Sequence, residues 1–199
     1  MELDGTTRSR AEMIAETRGK LLSAARHAFG TLGYAETSMD DLCAEVGLTR
    51  GALYHHFGGK AGLLEVVAKE MNAEIDARLD AHYATFDDPW AAFCDCCRAY
   101  LRMALEPEIQ RILFRDAPAV LGQRLREMDE EGSIVPLAES LSDLIAKGRI
   151  VDCDAELMAR FLNGALVDTA LWIAAGDRPE ARLARSERTV DLLLGRLER

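Results

Sequence analysis

The stretch SMDDLCAEVGLTRGALYHHF, Ser38 to Phe57, decides the fold of this chain. It reads as two short helices around a glycine. Ser38 is an N-cap residue, and Asp40 and Asp41 fall in the first turn, where the helix dipole favours negative charge. Gly47 interrupts the helical pattern and supplies the positive φ that a tight turn needs. Thr49 caps a second helix that runs to about His56, and Gly58-Gly59 ends it. Leu42, Val46, Leu48 and Leu53 are placed to face inward and fix the crossing of the two helices. Thr49, Arg50, Ala52, Tyr54 and His55 are then left outward, which is the layout of a helix-turn-helix. Gly51 and Ala52 are small enough for the backbone to approach a groove wall. Arg50 has the fork that binds guanine or phosphate, and Tyr54 and His55 can donate to phosphates at a groove edge. Lys60, opening the next helix, adds a positive phosphate contact. Helix–glycine–helix turns also occur in domains that never touch nucleic acid, so spacing alone leaves both readings open.

Outward from this segment the apolar pattern stays helical. A helix is expected from about Met13 to Leu32, with Ile14, Leu21, Leu22, Ala25, Ala28 and Phe29 on its apolar positions and Gly33 as its stop. A fourth runs from Lys60 to about Tyr83. Asp87-Asp88-Pro89 opens a fifth through Trp90, Phe93, Cys97, Tyr100 and Leu101. Pro107 and Pro118 are expected to break the chain. A long helix from about Ala119, interrupted near Gly132 and Pro136, should resume to Lys147-Gly148. Asp152 or Asp154 caps a helix over about Ala155–Ala175, Gly176 to Pro179 form a turn, and the last helix spans Glu180 to Arg199. With about nine helices and no alternating segment, the fold class is all-α.

Composition narrows the function classes. The 199 residues are 49% hydrophobic and 29% charged, ordinary for a soluble protein. The first residues are polar with no apolar leader, and no run reaches eighteen apolar residues. The expectation is a cytoplasmic protein with no membrane partner. The net charge of −10 is uneven: residues 1–60 carry 7 Lys/Arg against 8 Asp/Glu, and residues 61–199 carry 17 against 26. Local potential governs nucleic-acid binding, so the near-neutral N-terminal part remains compatible with it. Five cysteines, three of them at Cys94, Cys96 and Cys97, do not read as a secreted disulfide framework. Cys94 and Cys97 share a helix face, which admits a thiol or soft-metal sensor beside plain packing. No metal site, cofactor site or nucleophile–base pairing is evident, and His27, His55, His56 and His82 have no obvious carboxylate constellation, which argues against an enzyme.

Residues 21–64, LLSAARHAFGTLGYAETSMDDLCAEVGLTRGALYHHFGGKAGLL, resemble the N-terminal domain of the TetR family of transcriptional regulators. The resemblance rests on Ala25 and Phe29 before Gly33-Tyr34, on Thr37-Ser38, on Gly47-Leu48-Thr49, and on Gly51, Leu53, Tyr54, His56, Phe57, Lys60 and Leu64. Cys43 and Val46 depart from it, since the family usually has alanines there; both remain small or apolar. It implies a three-helix DNA-binding domain, expected over residues 13–60 behind a disordered tail at 1–12. A helical effector-binding and dimerisation domain is expected over 61–199. On the family pattern Ser38, Thr49, Arg50, Gly51, Ala52, Tyr54, His55 and Lys60 face DNA, while His56 and Phe57 hold the corner into the fourth helix.

The C-terminal part is family-like in outline, with ILFRDAPAVL at 112–121 and NGALVDTALWIAAG at 163–176. The resemblance implies a repressor released from a palindromic operator by a small effector. Apolar pockets with few polar groups are the usual sites, so the expectation is a mainly apolar ligand held by Phe93, Cys97, Tyr100, Phe114, Phe161, Asn163 and Asp168. One helix-turn-helix reads few base pairs, whereas two about 34–36 Å apart fit successive major grooves. A homodimer is therefore expected through the last two helices, with Leu162, Leu166, Ala170, Ile173, Val190, Leu193, Leu194 and Leu197 as the interface stripe. The same stripe also suits an ordinary core. Alternatives are a thiol- or metal-responsive repressor using Cys94 and Cys97, and a DNA-binding protein with no effector.

Overall fold

The computed structural model describes residues 10–199. Among these lie nine helical runs and no strand: α1 (Arg10–Thr31), α2 (Met39–Val46), α3 (Arg50–Phe57), α4 (Lys60–Tyr83), α5 (Pro89–Met103), α6 (residues 107–121), α7 (residues 123–146), α8 (Ala155–Ala174) and α9 (Pro179–Leu194). The helix expected from Met13 begins at Arg10, so residues 10–12 of the tail expected at 1–12 are helical; residues 1–9 and the side chain of Ile14 lie outside the described residues. The chain divides after Val67 into two compact units.

In the first unit the local signals act as expected. The Ser38 hydroxyl accepts the Asp41 amide at 3.2 Å, and the Thr49 hydroxyl accepts that of Ala52 at 3.2 Å. Each satisfies one of the amides that a helix start leaves orphaned. Gly47 sits in the left-handed region at φ 71°, and the Leu48 amide donates back to the Cys43 carbonyl at 2.9 Å. Leu21, Ala25 and Phe29 of α1 are fully buried with Leu53 of α3 and Leu63 and Leu64 of α4. Each large side chain contributes about 1.5–3 kcal/mol by leaving water. Val46 and Leu48 are half-buried.

The second unit buries two clusters. Trp90 and Phe93 stack at 5.5 Å and pack with Cys97, Leu141, Leu144, Ile150, Ala159 and Leu194. Leu101 and Ala104 pack with Ala170 and Ile173. Ala170, Ile173 and Leu194, expected in a dimer interface, are therefore core residues of one subunit. A period-matched stripe does not reveal whether it faces its own core or a partner. The last helix also stops short of Arg199. It ends at Leu194, and the remaining chain folds back so that Val151 donates to Leu197 at 2.8 Å and Arg199 to Arg149 at 3.1 Å.

Neither Pro118 nor the Gly132–Pro136 stretch breaks a helix. Each instead follows or lies in a widened π-helical turn, Gln110–Asp116 within α6 and Glu130–Ile134 within α7. The break falls at Gly122, with φ 52° and ψ −109°. Leu113, Ala117 and Leu121 are buried at strict four-residue steps. Such steps drift around an α-helix of 3.6 residues per turn, and a wider turn brings them closer to one line.

A charge network ties α4, α5 and α9 together. Asp95 meets His82 at 2.5 Å and Arg98 at 2.6 Å; Arg98 also reaches Asp191 at 2.5 Å, and Arg102 reaches Glu187 at 2.7 Å. His82 thus has the carboxylate partner that sequence reading did not find. Burial alone would raise the Asp95 carboxyl, but hydrogen bonds from His82 and Arg98 and the charges of Arg98 and Arg102 outweigh it and hold it below the ordinary carboxylate range.

Two stability predictions follow from these contacts. A Cβ on Gly62, in the first turns of α4, would stand 1.7 Å from the Phe57 carbonyl oxygen. Gly62→Ala should therefore cost about 1–3 kcal/mol, read as a lower thermal midpoint. Asp95 has a depressed folded-state pKa, so its stabilisation is present above the unfolded carboxylate pKa and is lost as pH falls through the folded one. Asp95→Asn should cost about 1–2 kcal/mol in urea unfolding at pH 7, and the gap from wild type should narrow as pH falls below the ordinary carboxylate range.

Candidate functional site

The face of α3 is built on two anchors. Leu53 and Phe57 are buried, and the Arg18 guanidinium lies 5.4 Å from the Phe57 ring centre. Four residues apart, they share a face, and the residues between them turn outward. Arg50, Gly51, Tyr54 and His55 are exposed, and Ala52 is half-buried. Tyr54 lies across Gly59, where a Cβ would come within 3.1 Å of its ring, so the backbone there stays flat beneath the phenol. Arg50 forks onto Asp40, Nε to Oδ1 at 3.2 Å and Nη1 to Oδ2 at 3.4 Å. Both are exposed, and such a pair opens at little cost. Ser38 and Thr49 spend an acceptor lone pair on their caps and keep their hydroxyl protons.

Two assignments change in detail. Lys60 does not project freely: its Nζ donates to the Ala35 carbonyl at 3.1 Å and lies 4.6 Å from the Tyr34 ring centre. An ammonium has three donors, so this bond leaves others for a phosphate. His56 is exposed and meets Phe57 only edge-on at 6.4 Å, so Phe57 alone anchors the corner into α4.

The second unit holds a cavity of about 360 Å³ among α4, α5, α7 and α8. Phe93, Cys97, Tyr100 and Asn163 line it, as the sequence predicts. Phe114 does not; it packs edge-on to Tyr100 at 6.4 Å. Phe161 is 67% exposed and Asp168 is exposed. Both lie on the outer face of α8 with Leu157, Gly164, Ala165 and Trp172, a helical repeat that turns them away from the cavity. Sequence reading missed Asp76 and Asp80 of α4 and Asp129 of α7, which also line it. The available signal was Asp76-x-x-x-Asp80, a like-charge pair one turn apart on one helix face. Burial raises the Asp129 carboxyl; burial, then Asp80, raises that of Asp76. Burial, with Asp129 and Asp76 nearby, raises the Tyr100 phenol.

Comparison with known proteins bears on both halves. Residues 21–67 match the model for bacterial regulatory proteins of the tetR family, and residues 90–197 match that for the tetracyclin repressor-like C-terminal domain. A solved TetR-family transcriptional regulator from Pectobacterium atrosepticum is 47% identical, with a TM-score of 0.83, over 96% of this chain and 100% of that one. The HTH-type transcriptional regulator CymR of Pseudomonas putida is 36% identical over 171 residues, 83% of this chain and 84% of that protein. The HTH-type transcriptional repressor AcnR of Corynebacterium jeikeium is 38% identical over 68 residues, 34% of this chain and 36% of that protein.

The cysteines of α5 lie beside the cavity with their thiols suppressed. Burial pushes Cys94 and Cys96 up to about 11 and Cys97 up to about 12. Thiolates are the metal-binding and oxidisable forms, and no group of three or more suitable side chains among the described residues could hold a metal ion. Both facts weigh against the thiol- or metal-responsive alternative. Iodoacetamide at pH 7.5 should leave all three unmodified in the folded protein over hours and alkylate them promptly in guanidinium, as read by intact mass and peptide mapping.

Proposed function

This chain belongs to the TetR family of transcriptional regulators, and we propose that it is a ligand-responsive repressor that binds a palindromic operator as a dimer. The observation that carries this reading is the face of α3: Arg50, Tyr54 and His55 stand exposed on a helix capped at both ends and anchored by Leu53 and Phe57. In a major groove, Arg50 reads guanine or grips phosphate; Ser38, Thr49, Tyr54, His55 and Lys60 position the helix on the backbone; Gly51 and Ala52 allow close approach. The unit ending at Val67 is the DNA-binding domain, and the rest is the effector-binding and dimerisation domain.

Dimerisation is supported by apolar surface. Leu157, Phe161 and Trp172 of α8 and Leu192 and Leu193 of α9 are large and exposed. By length and composition α8 alone among the described helices could cross a membrane, against the sequence expectation of no such segment, yet little of it is buried within the subunit. An apolar helix packed on one side only gains stability from a partner on the other. A groove of about 210 Å³ between α8 and α9, lined by Leu162, Leu166, Trp172, Val190 and Leu193, gives that partner a place to interlock. The interface therefore takes Leu162, Leu166, Val190 and Leu193 from the predicted stripe and adds Phe161 and Trp172. A constitutive DNA-binding protein needs no cavity, so its presence favours an effector, which must prefer the DNA-incompetent state.

With an operator selected from a random duplex pool, Arg50→Ala and Tyr54→Ala should each weaken binding about 10- to 100-fold in a gel-shift titration. Both should leave the dimer folded, and unchanged affinity would remove α3 from the interface. Phe161→Glu with Leu193→Glu should give a monomer in sedimentation velocity that no longer shifts the palindrome.

A further inference from the structure

The cavity of the second unit carries an unbalanced charge. Its floor and walls are apolar, with Ile75, Leu79, Phe93, Leu137 and Leu166 among them. Three carboxylates also face it: Asp76 and Asp80, exposed and one turn apart on α4, and Asp129, half-buried at the π-helical turn of α7. Several acids elsewhere in the unit are matched: Asp95 and Asp191 with Arg98, Glu106 with Arg78 and Glu130 with Arg160. Among the described residues Asp76, Asp80 and Asp129 have no cation partner, and no basic side chain lines the cavity. Tyr100 lines the same cavity, near enough to Asp129 and Asp76 for both to act on its phenol. Tyr100 is half-buried, and its hydroxyl has no hydrogen-bond partner among the described residues. A half-buried phenol and three acids without a cation, set in apolar walls, are a surface suited to a positively charged ligand. The carboxylates do not converge closely enough to hold a single metal ion. Tyr83, Phe93 and Tyr100 add aromatic faces, which attract cations.

We infer that the effector is an amphipathic organic cation, a protonated or quaternary amine on an apolar or aromatic body, with its charged head among Asp76, Asp80, Asp129 and Tyr100. The inference rests on the cavity being the effector site. It revises the sequence expectation of a mainly apolar ligand: the body is apolar, and the head is positive. The volume suits a molecule at the small end of the drug-sized range, which begins near 300 Å³ of pocket. A neutral isostere would fill the same walls and leave the acids uncompensated, so charge sets the selectivity.

The test compares two molecules of the same shape, phenyltrimethylammonium and tert-butylbenzene, by calorimetric titration of the full-length dimer. The cation should bind at least tenfold more tightly. Asp76→Asn with Asp129→Asn should erase that advantage while leaving the neutral compound unchanged or tighter, and Leu137→Trp should reduce binding of both. The wild-type comparison needs no variant to fold. Equal or tighter binding of tert-butylbenzene, or a cation affinity indifferent to the Asn pair, overturns the charge assignment and leaves the cavity as the effector site. Binding of neither compound, or of both unaffected by Leu137→Trp, overturns the cavity reading and the charge assignment with it.

Discussion

The fold of the first unit depends on one left-handed residue. α2 and α3 are eight residues each, too short to persist alone in water. Their directions are set where Gly47 turns the chain at φ 71° between the Ser38-capped helix and the Thr49-capped one. With the angle fixed there, Leu42 and Cys43 of α2 and Leu53 and Phe57 of α3 are buried. Burial of one side obliges exposure of the other. The residues best suited to nucleic acid are exposed because their neighbours one turn away are not.

Charge is distributed in keeping with that division of labour. The acid surplus lies almost wholly beyond residue 60, where 26 Asp/Glu face 17 Lys/Arg. At physiological ionic strength exposed charges are screened within about 8 Å. A polyanion thus responds to the nearest surface more than to the total. α3 itself contains no acid and carries His55-His56 in its last turn. The one acid held against it, Asp40, is paired with Arg50 and has a competitor in any phosphate or guanine that arrives.

Legibility in the sequence followed the range of the forces. The caps at Ser38, Thr49, Asp88 and Asp154, the turn at Gly47 and the stops at Gly33 and Gly58 are local chemistry, and they occur where the residues indicated. Phe93, Cys97, Tyr100 and Asn163 were found as cavity residues because aromatic and polar groups stand out on apolar helices. On α8, Phe161 and Asp168 sit away from the cavity, and Ala170 and Ile173 lie in the core with Leu194 of α9, because α8 is apolar on more than one side and a helical stripe does not say which side faces home. Asp76, Asp80 and Asp129 were missed for another reason. The first two read as ordinary solvated surface, and the third arrives from a helix about fifty positions away in the chain, so only the tertiary structure sets them around one space. The His82–Asp95 contact was hidden in the same way, across a helical turnaround.

The π-helical turns at Gln110–Asp116 and Glu130–Ile134 also bear on how this chain can change length. Each is a stretch of helix that accommodates about one residue more than ordinary winding would. Removing one residue from either turn would restore ordinary winding and leave the following segment in phase, whereas removing one from an ordinary turn would rotate that segment by roughly 100°. Downstream of the second turn such a rotation would carry Leu141 and Leu144 out of the core. A change of one residue is therefore least disruptive at Gly122, where the helices are already interrupted, and within the two widened turns.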